Sequence, residues 1–90
     1  MTTIVIVDDE EEILVALQQM LSGEGYAVKA FSSSIEAETY LKTKTADLAI
    51  FDIKMPELDG FALLRSVRVH RPSLPIIFLS TFIRLTCHNQ

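Results

Sequence analysis

The 90-residue sequence has little of several residue types that mark particular classes of protein. It contains a single cysteine, so no internal disulfide can form and a disulfide-framed secreted domain is excluded. Three glycines and three prolines are too few for a low-complexity linker. The formal net charge is −4 and Lys and Arg form no cluster, so we expect neither nucleic acid nor an anionic membrane as a direct partner.

Long apolar runs are also lacking. No run approaches the roughly 20 residues of a membrane-spanning helix, and no secretory signal precedes the first apolar segment. We therefore expect a cytoplasmic protein without a membrane partner. Hydrophobic residues nevertheless make up 49% of the chain. This share is large for a small domain and favours self-association.

Apolar patterning predicts that strands and helices alternate. Thr3 to Val7 is β-branched without polar alternation, as is typical of a strand covered on both faces. Further strands are expected over Tyr26 to Phe31, Leu48 to Phe51 and Pro75 to Ser80. Short connections between strands and helices favour a parallel sheet in an α/β fold. The helices are predicted from apolar spacing at Ile13, Leu14, Leu17, Met20 and Leu21, then at Ala37, Tyr40 and Leu41, then at Phe61, Leu64, Val67 and Arg68.

Residues with capping preferences mark the expected helix ends. The glutamates at 10 to 12 suit the start of the first helix, and Gly23 and Gly25 suit its end. One of the serines at 32 to 34 is expected to cap the second helix, and Asp59 the third.

Acidic residues follow two of the predicted strands at their downstream ends. Asp8 and Asp9 follow the first strand, and Asp52 follows the strand that begins at Leu48. The carboxyl ends of neighbouring parallel strands meet at the edge where open α/β folds bind their ligands. Taken alone, Asp52 fits a residue that caps a loop equally well, and Asp8 with Asp9 fits the start of a helix equally well. Together, three carboxylates at one edge repel one another unless a cation enters, so the pattern predicts a metal site and favours phosphoryl chemistry.

The residues after Asp52 add a longer motif. They read Ile53-Lys54-Met55-Pro56-Glu57-Leu58-Asp59-Gly60, and Ser80 ends the fourth predicted strand. With the acid pair after the first strand, this combination resembles the receiver domain of bacterial two-component response regulators over residues 3 to about 81. The resemblance implies one domain over 1–90 with a flavodoxin-like, doubly wound parallel sheet of strand order 2-1-3-4.

The resemblance also implies roles for individual residues. Asp52 is expected to accept a phosphoryl group from a sensor histidine kinase or a phosphotransfer protein, as a covalent carboxylate nucleophile. Mg²⁺, for which Mn²⁺ or Ca²⁺ can substitute, is expected on Asp9, Asp52 and the backbone carbonyl of Lys54, with Asp8 acting through a bound water. Ser80 is expected to hydrogen-bond a phosphoryl oxygen. No turnover beyond self-phosphorylation and self-dephosphorylation is implied.

The sequence departs from the family pattern near Thr81. Four strands and three helices are predicted, Thr81 can begin a fourth helix, and residues 82–90 form an atypical tail. The family's fifth strand and fifth helix, with the lysine and switch aromatic of that strand, have no counterpart. We therefore expect a C-terminally truncated receiver core over 3–81, with an open edge on the fourth strand. A homodimer, with swapping as one route, is expected to cover the exposed apolar surface.

Other functions fit parts of this pattern. Without the lysine and the switch aromatic, the domain can act as a binding or dimerisation module that phosphorylation does not switch. An aspartyl phosphatase would need a second aspartate at position 54, where Lys54 stands. Cys87-His88 offers two metal ligands without partners and fits a solvated tail. His70 lies at the end of a predicted helix, where the partial negative charge favours a structural histidine over a phosphate carrier. Gly23-Glu24-Gly25 lacks the third glycine of a dinucleotide-binding loop.

Overall fold

A parallel sheet of four strands forms the centre of this computed structural model, which describes residues 1–53, 55 and 57–79. The strand order is β2-β1-β3-β4, and every pairing is parallel. The predicted α/β fold, strand order and three helices are thereby confirmed, whereas anything expected from Thr81 onward lies outside the described residues. In chain order the elements are β1 (Thr3–Val7), α1 (Glu11–Gly23), β2 (Ala27–Phe31), α2 (Ser34–Thr43), β3 (Leu48–Asp52), α3 (Gly60–His70) and β4 (Ile76–Leu79).

The central strand β1 is covered on both faces. Its side chains alternate, so that Val5 and Val7 enter the core shared with α2 and α3, while Ile4 and Ile6 enter the core under α1. All four are buried. The two covered faces explain why this strand reads as a continuous β-branched run instead of an apolar and polar alternation.

Two apolar cores hold the helices against the sheet. Burying one large apolar side chain completely contributes about 1.5 to 3 kcal/mol, so the fold depends on a few such residues in each core. On the α1 side the packed residues include Leu14, Leu17, Leu21, Val28 and Ile50. On the α2 and α3 side they include Ala37, Leu41, Phe51, Leu63 and Val67.

Side-chain caps begin two of the helices as predicted. Ser33 caps α2, and its Oγ accepts a hydrogen bond from the Glu36 N–H at 3.3 Å. Asp59 caps α3, and its Oδ1 accepts from the Ala62 N–H at 2.8 Å. Glu10 precedes α1 without a side-chain cap, so that helix relies on the acidic residues of its first turn.

The helices are short and end in local hydrogen bonds. After α1, Gly25 adopts a φ of 95°, a left-handed conformation that suits glycine. This turn lets the Tyr26 N–H donate to the Leu21 carbonyl at 3.2 Å, so the chain reverses directly into β2. Within the described residues, no helix has the length and apolar character needed to cross a bilayer.

The buried stripes of α1 and α3 differ from those suggested by apolar spacing. Met20 is 58% exposed and Phe61 is 48% exposed, although both have apolar side chains at helical spacing. In α3 the predicted Val67 is buried, together with Gly60 and with Leu63, which was not predicted, because this helix packs against both the sheet and α2. Phe61 lies beside the core and packs its ring on Phe78 at a centroid distance of 4.8 Å.

Candidate metal centre

The pairing of β1 with β3 brings carboxylates from two distant parts of the chain together. Val7 is in register with Phe51, so Asp8 and Asp52 each lie one residue beyond the same pair. Adjacent strands are about 4.8 Å apart. One carboxylate oxygen from each of Asp8, Asp9 and Asp52 lies within 4.8 Å of the other two. We call these three residues the acidic cluster.

The acidic cluster has a buried side and an open side. Asp8 is 3% exposed and Asp52 is 9% exposed, whereas Asp9 is exposed to solvent. A buried carboxylate loses much of its hydration and needs hydrogen bonds or an opposite charge to compensate. Asp8 and Asp52 therefore offer a metal ion desolvated oxygens, and the exposed side at Asp9 gives it access from solvent.

Burial and the neighbouring negative charges change the pKa of Asp8 in the cluster. Burial raises the pKa of the Asp8 carboxyl from 3.8 to about 6. A hydrogen bond from the Glu10 N–H to Asp8 Oδ1, at 2.9 Å, opposes this rise in pKa. The neighbouring carboxylates of Asp52 and Asp9 add to the rise, because a second negative charge disfavours ionisation. A bound cation would compensate for the lost hydration of the Asp8 carboxylate and reduce its repulsion with Asp52 and Asp9.

The donor set of the cluster fits a hard divalent cation. All three ligands are carboxylate oxygens, which Mg²⁺ and Ca²⁺ prefer over nitrogen or sulfur. Two oxygens bound to one Mg²⁺ ion lie at most about 4.2 Å apart, twice the usual metal–oxygen distance. The three oxygens lie within 4.8 Å of one another, close to this range, so the carboxylates fit one ion either directly or with a bound water bridging one of them.

Two of the residues expected in the site, Lys54 and Ser80, lie outside the described residues. The structure does describe the residues next to them in the chain. Asp52 is in register with Leu79, the last residue of β4. On the other side, Met55 is buried in the core shared with α2 and α3. The roles expected for the Lys54 carbonyl and the Ser80 hydroxyl thus remain predictions.

A hydrogen bond between two loops near the cluster was not anticipated from the sequence. Ser33 Oγ donates to Glu57 Oε1 at 3.0 Å, while the same oxygen caps α2. This bond ties the loop after β2 to the loop after β3, and β3 ends at Asp52. The only sequence signal was that both residues follow strands whose carboxyl ends share one edge of the sheet.

Sequence comparisons identify similar proteins over most of this chain. The family model described as the response regulator receiver domain matches residues 4–88, beyond the 3–81 expected above. The DNA-binding transcriptional regulator NtrC of Klebsiella pneumoniae is 40% identical over 75 residues, which cover 83% of this chain and 16% of NtrC. The regulatory protein VanRc of Enterococcus gallinarum is 40% identical over 65 residues, covering 72% of this chain and 28% of VanRc. The chain thus spans less than a third of either relative.

Solved structures with the same fold are also similar in sequence. A CheY-like receiver domain protein from Methanospirillum hungatei superimposes with a TM-score of 0.86 and 34% identity, covering 89% of this chain and 64% of that chain. The response regulator TrrA from Thermotoga maritima, solved in complex with Mg²⁺ and BeF, gives a TM-score of 0.84 and 32% identity. That match covers 89% of this chain and 70% of TrrA.

Proposed function

Since this chain belongs to the response regulator receiver domain family, we propose that it accepts a phosphoryl group on Asp52 in a Mg²⁺-dependent reaction. The observation that carries this proposal is the acidic cluster at the carboxyl edge of the sheet, with Asp52 at its buried side. The complex of the similar receiver TrrA with Mg²⁺ and BeF supports Mg²⁺ as the ion. Mn²⁺ and Ca²⁺ share its preference for oxygen ligands.

The chemistry proposed for Asp52 is an in-line phosphoryl transfer. A carboxylate oxygen of Asp52 forms a bond to phosphorus as the bond from phosphorus to a histidine ring nitrogen breaks. The electron pair of the broken bond stays on that nitrogen, and the other ring nitrogen keeps its proton, so the leaving imidazole is neutral. The protein mainly aligns the two reactants and neutralises charge, because the transition state is loose.

The other proposed site residues hold the reactants. Asp9, Asp52 and the Lys54 carbonyl would bind the ion, and Asp8 would reach it through water. When bound, the ion offsets the charge of the acidic cluster and stabilises the phosphoryl oxygens. Ser80 would donate a hydrogen bond to a phosphoryl oxygen.

The family implies a sensor histidine kinase or a phosphotransfer protein as the partner. We propose that the domain meets this partner in the cytoplasm. NtrC is named as a DNA-binding regulator, but this chain covers only 16% of its length. We propose no direct contact with nucleic acid or membrane for residues 1–90, because their net charge is −4.

Phosphorylation by a small donor tests this function directly. The purified chain is incubated with acetyl phosphate and Mg²⁺, and the intact mass is measured. We expect a gain of one phosphoryl group that disappears with EDTA and in Asp52→Ala. Asp47→Ala is the matched control, because Asp47 is an exposed carboxylate at the other edge of the sheet and accepts the Thr3 N–H. Labelling that persists in Asp52→Ala would show that Asp52 is not the acceptor.

A second proposal is that the domain pairs with itself, with swapping as one route, and serves as a binding module whether or not phosphorylation switches it. Its support is the exposure of large apolar side chains on α3 and β4, namely Phe61, Val69 and Ile77. Sedimentation velocity over a range of concentrations, with and without beryllofluoride, tests this. A change in size with beryllofluoride indicates a switch, an unchanged dimer indicates a static module, and a monomer at every concentration rules out self-pairing.

A further inference from the structure

Gly60, the first residue of α3, lies directly against the backbone of Asp52. A Cβ atom built on Gly60 would lie 2.5 Å from the Asp52 carbonyl oxygen, closer than real Cβ contacts. It would also lie 3.1 Å from Ile53 Cα and 3.1 Å from Phe78 Cε1. The Gly60 N–H donates to the Ile53 carbonyl at 3.0 Å, so the start of α3 is fastened to the end of β3. The approach is thus close because position 60 has no side chain.

The atoms that a side chain would meet cannot easily move away. Two of the three belong to the main chain, which no side-chain rotation can displace. Asp52 is held by the β3–β4 ladder, and Phe78 is packed between the rings of Phe51 and Phe61. A side chain at position 60 would therefore push on the main chain of Asp52 itself.

The glycine requirement at position 60 is steric and does not come from backbone conformation. Among the described glycines only Gly25 has a positive φ, so an L-residue can adopt the backbone angles of Gly60. Gly23 shows the opposite situation, because a Cβ there would meet nothing within 4 Å. Among the described glycines, Gly60 is therefore the one at which an added methyl group would clash with its surroundings.

We infer that Gly60 is a positioning residue that sets where the Asp52 carboxylate lies relative to Asp8 and Asp9. The inference rests on the metal-binding role proposed for Asp52. Moving a Cβ from 2.5 Å to the ordinary contact distance of 3.4 Å needs 0.9 Å of displacement. Binding constellations tolerate only about 0.5 Å of error, so the displacement is large enough to weaken a shared metal site.

Gly60→Ala and Gly23→Ala, each made in the full chain, form a matched pair. Mg²⁺ affinity is measured by isothermal titration calorimetry, and stability by urea denaturation in EDTA. We expect Gly60→Ala to weaken Mg²⁺ binding at least about tenfold, as loss of a supporting contact commonly does. We expect Gly23→Ala to leave it unchanged. A Gly60→Ala protein that is less stable but binds Mg²⁺ like the wild type would overturn the inference, because its role would then be structural only.

A double variant and a measurement on the wild type provide further tests, and the second does not depend on whether Gly60→Ala folds. Gly60→Ala with Phe78→Leu relieves the contact with the ring but not that with the Asp52 carbonyl, so we expect Mg²⁺ binding to stay weak. Recovery of wild-type affinity would overturn the inference. In the wild type, the Gly60 amide resonance should shift with Mg²⁺ at the same midpoint as that of Asp52, while Gly23 stays unchanged. An unmoved Gly60 amide would contradict the proposed positioning role of Gly60.

The outcomes also separate this inference from the proposed function. A wild-type chain that binds no Mg²⁺ would refute the proposed function, and the inference with it. A wild type that binds Mg²⁺ together with a Gly60→Ala variant that binds equally well would refute the inference and leave the proposed function in place.

Discussion

Asp8→Asn should make the metal-free domain more stable at neutral pH. The side chain is 3% exposed and lies beside two further carboxylates, Asp9 and Asp52. Asparagine has nearly the same size, and its amide oxygen can still accept the hydrogen bond from the Glu10 N–H. The substitution therefore removes the ionisation of Asp8 while retaining most of its contacts.

The pH dependence follows from the raised pKa of Asp8. The unfolded chain ionises this group near pH 3.8, whereas the folded domain ionises it only near pH 6. Between these values the folded state holds a proton that the unfolded state has released. The free energy of unfolding therefore falls as pH rises through this window, and the loss is complete above about pH 6. Each pKa unit corresponds to about 1.4 kcal/mol, which sets an upper bound near 3 kcal/mol, and water reaching the ionised group lowers it.

Urea denaturation in EDTA, followed by circular dichroism at several pH values from 4 to 7.5, measures this effect. At pH 7.5 we expect Asp8→Asn to exceed the wild type by about 1 to 3 kcal/mol, and at pH 4 the two should converge. Comparing variant with wild type at each pH cancels the titration of the carboxyl groups that do not interact with Asp8. Asp47→Asn is the control, because Asp47 is exposed and also accepts a backbone N–H, from Thr3.

The result that would refute this reasoning is an Asp8→Asn protein no more stable than the wild type at pH 7.5. A stability gain that persists unchanged at pH 4 would also refute it, since the gain would then not come from ionisation. Mg²⁺ at ten times its dissociation constant should stabilise the wild type by about 1.4 kcal/mol. The same Mg²⁺ concentration should stabilise Asp8→Asn less, because the variant has lost one negative charge of the acidic cluster.

Leu63→Ala should lower the free energy of unfolding by about 2 to 5 kcal/mol, because Leu63 is fully buried. Val69→Ala, on the exposed face of the same helix, should change it by less than about 0.5 kcal/mol in the same urea assay, and equal losses would contradict the assigned faces. Ser33→Ala should lose about 1 to 2 kcal/mol, because it removes the cap of α2 on Glu36 and the bond to Glu57. Ser33→Asn keeps a capping oxygen and a hydrogen-bond donor and should lose less than Ser33→Ala, whereas Glu57→Ala removes only the exposed bond and should lose less than about 1 kcal/mol. A Glu57→Ala loss as large as that of Ser33→Ala would show that the loop bond, and not the cap, dominates.

The sequence by itself determined the order of strands and helices and the convergence of the aspartates. Apolar runs and periodic spacing are local signals, and parallel strands necessarily bring their carboxyl ends to one edge. Asp8, Asp9 and Asp52 could therefore be grouped before their positions were known. The caps by Ser33 and Asp59 were equally local, because each bond spans only three residues.

Only the tertiary structure decided how closely the elements approach. The rotation of α3 about its axis buries Leu63 and leaves Phe61 half exposed, and it depends on packing against both the sheet and α2. The raised pKa of Asp8 depends on how much protein surrounds it. The contact of Gly60 with the Asp52 carbonyl depends on how closely the start of α3 packs against the end of β3. These distances are set by tertiary packing and not by neighbours in sequence. The three aspartates could therefore be grouped from the sequence, whereas the distances between them could not.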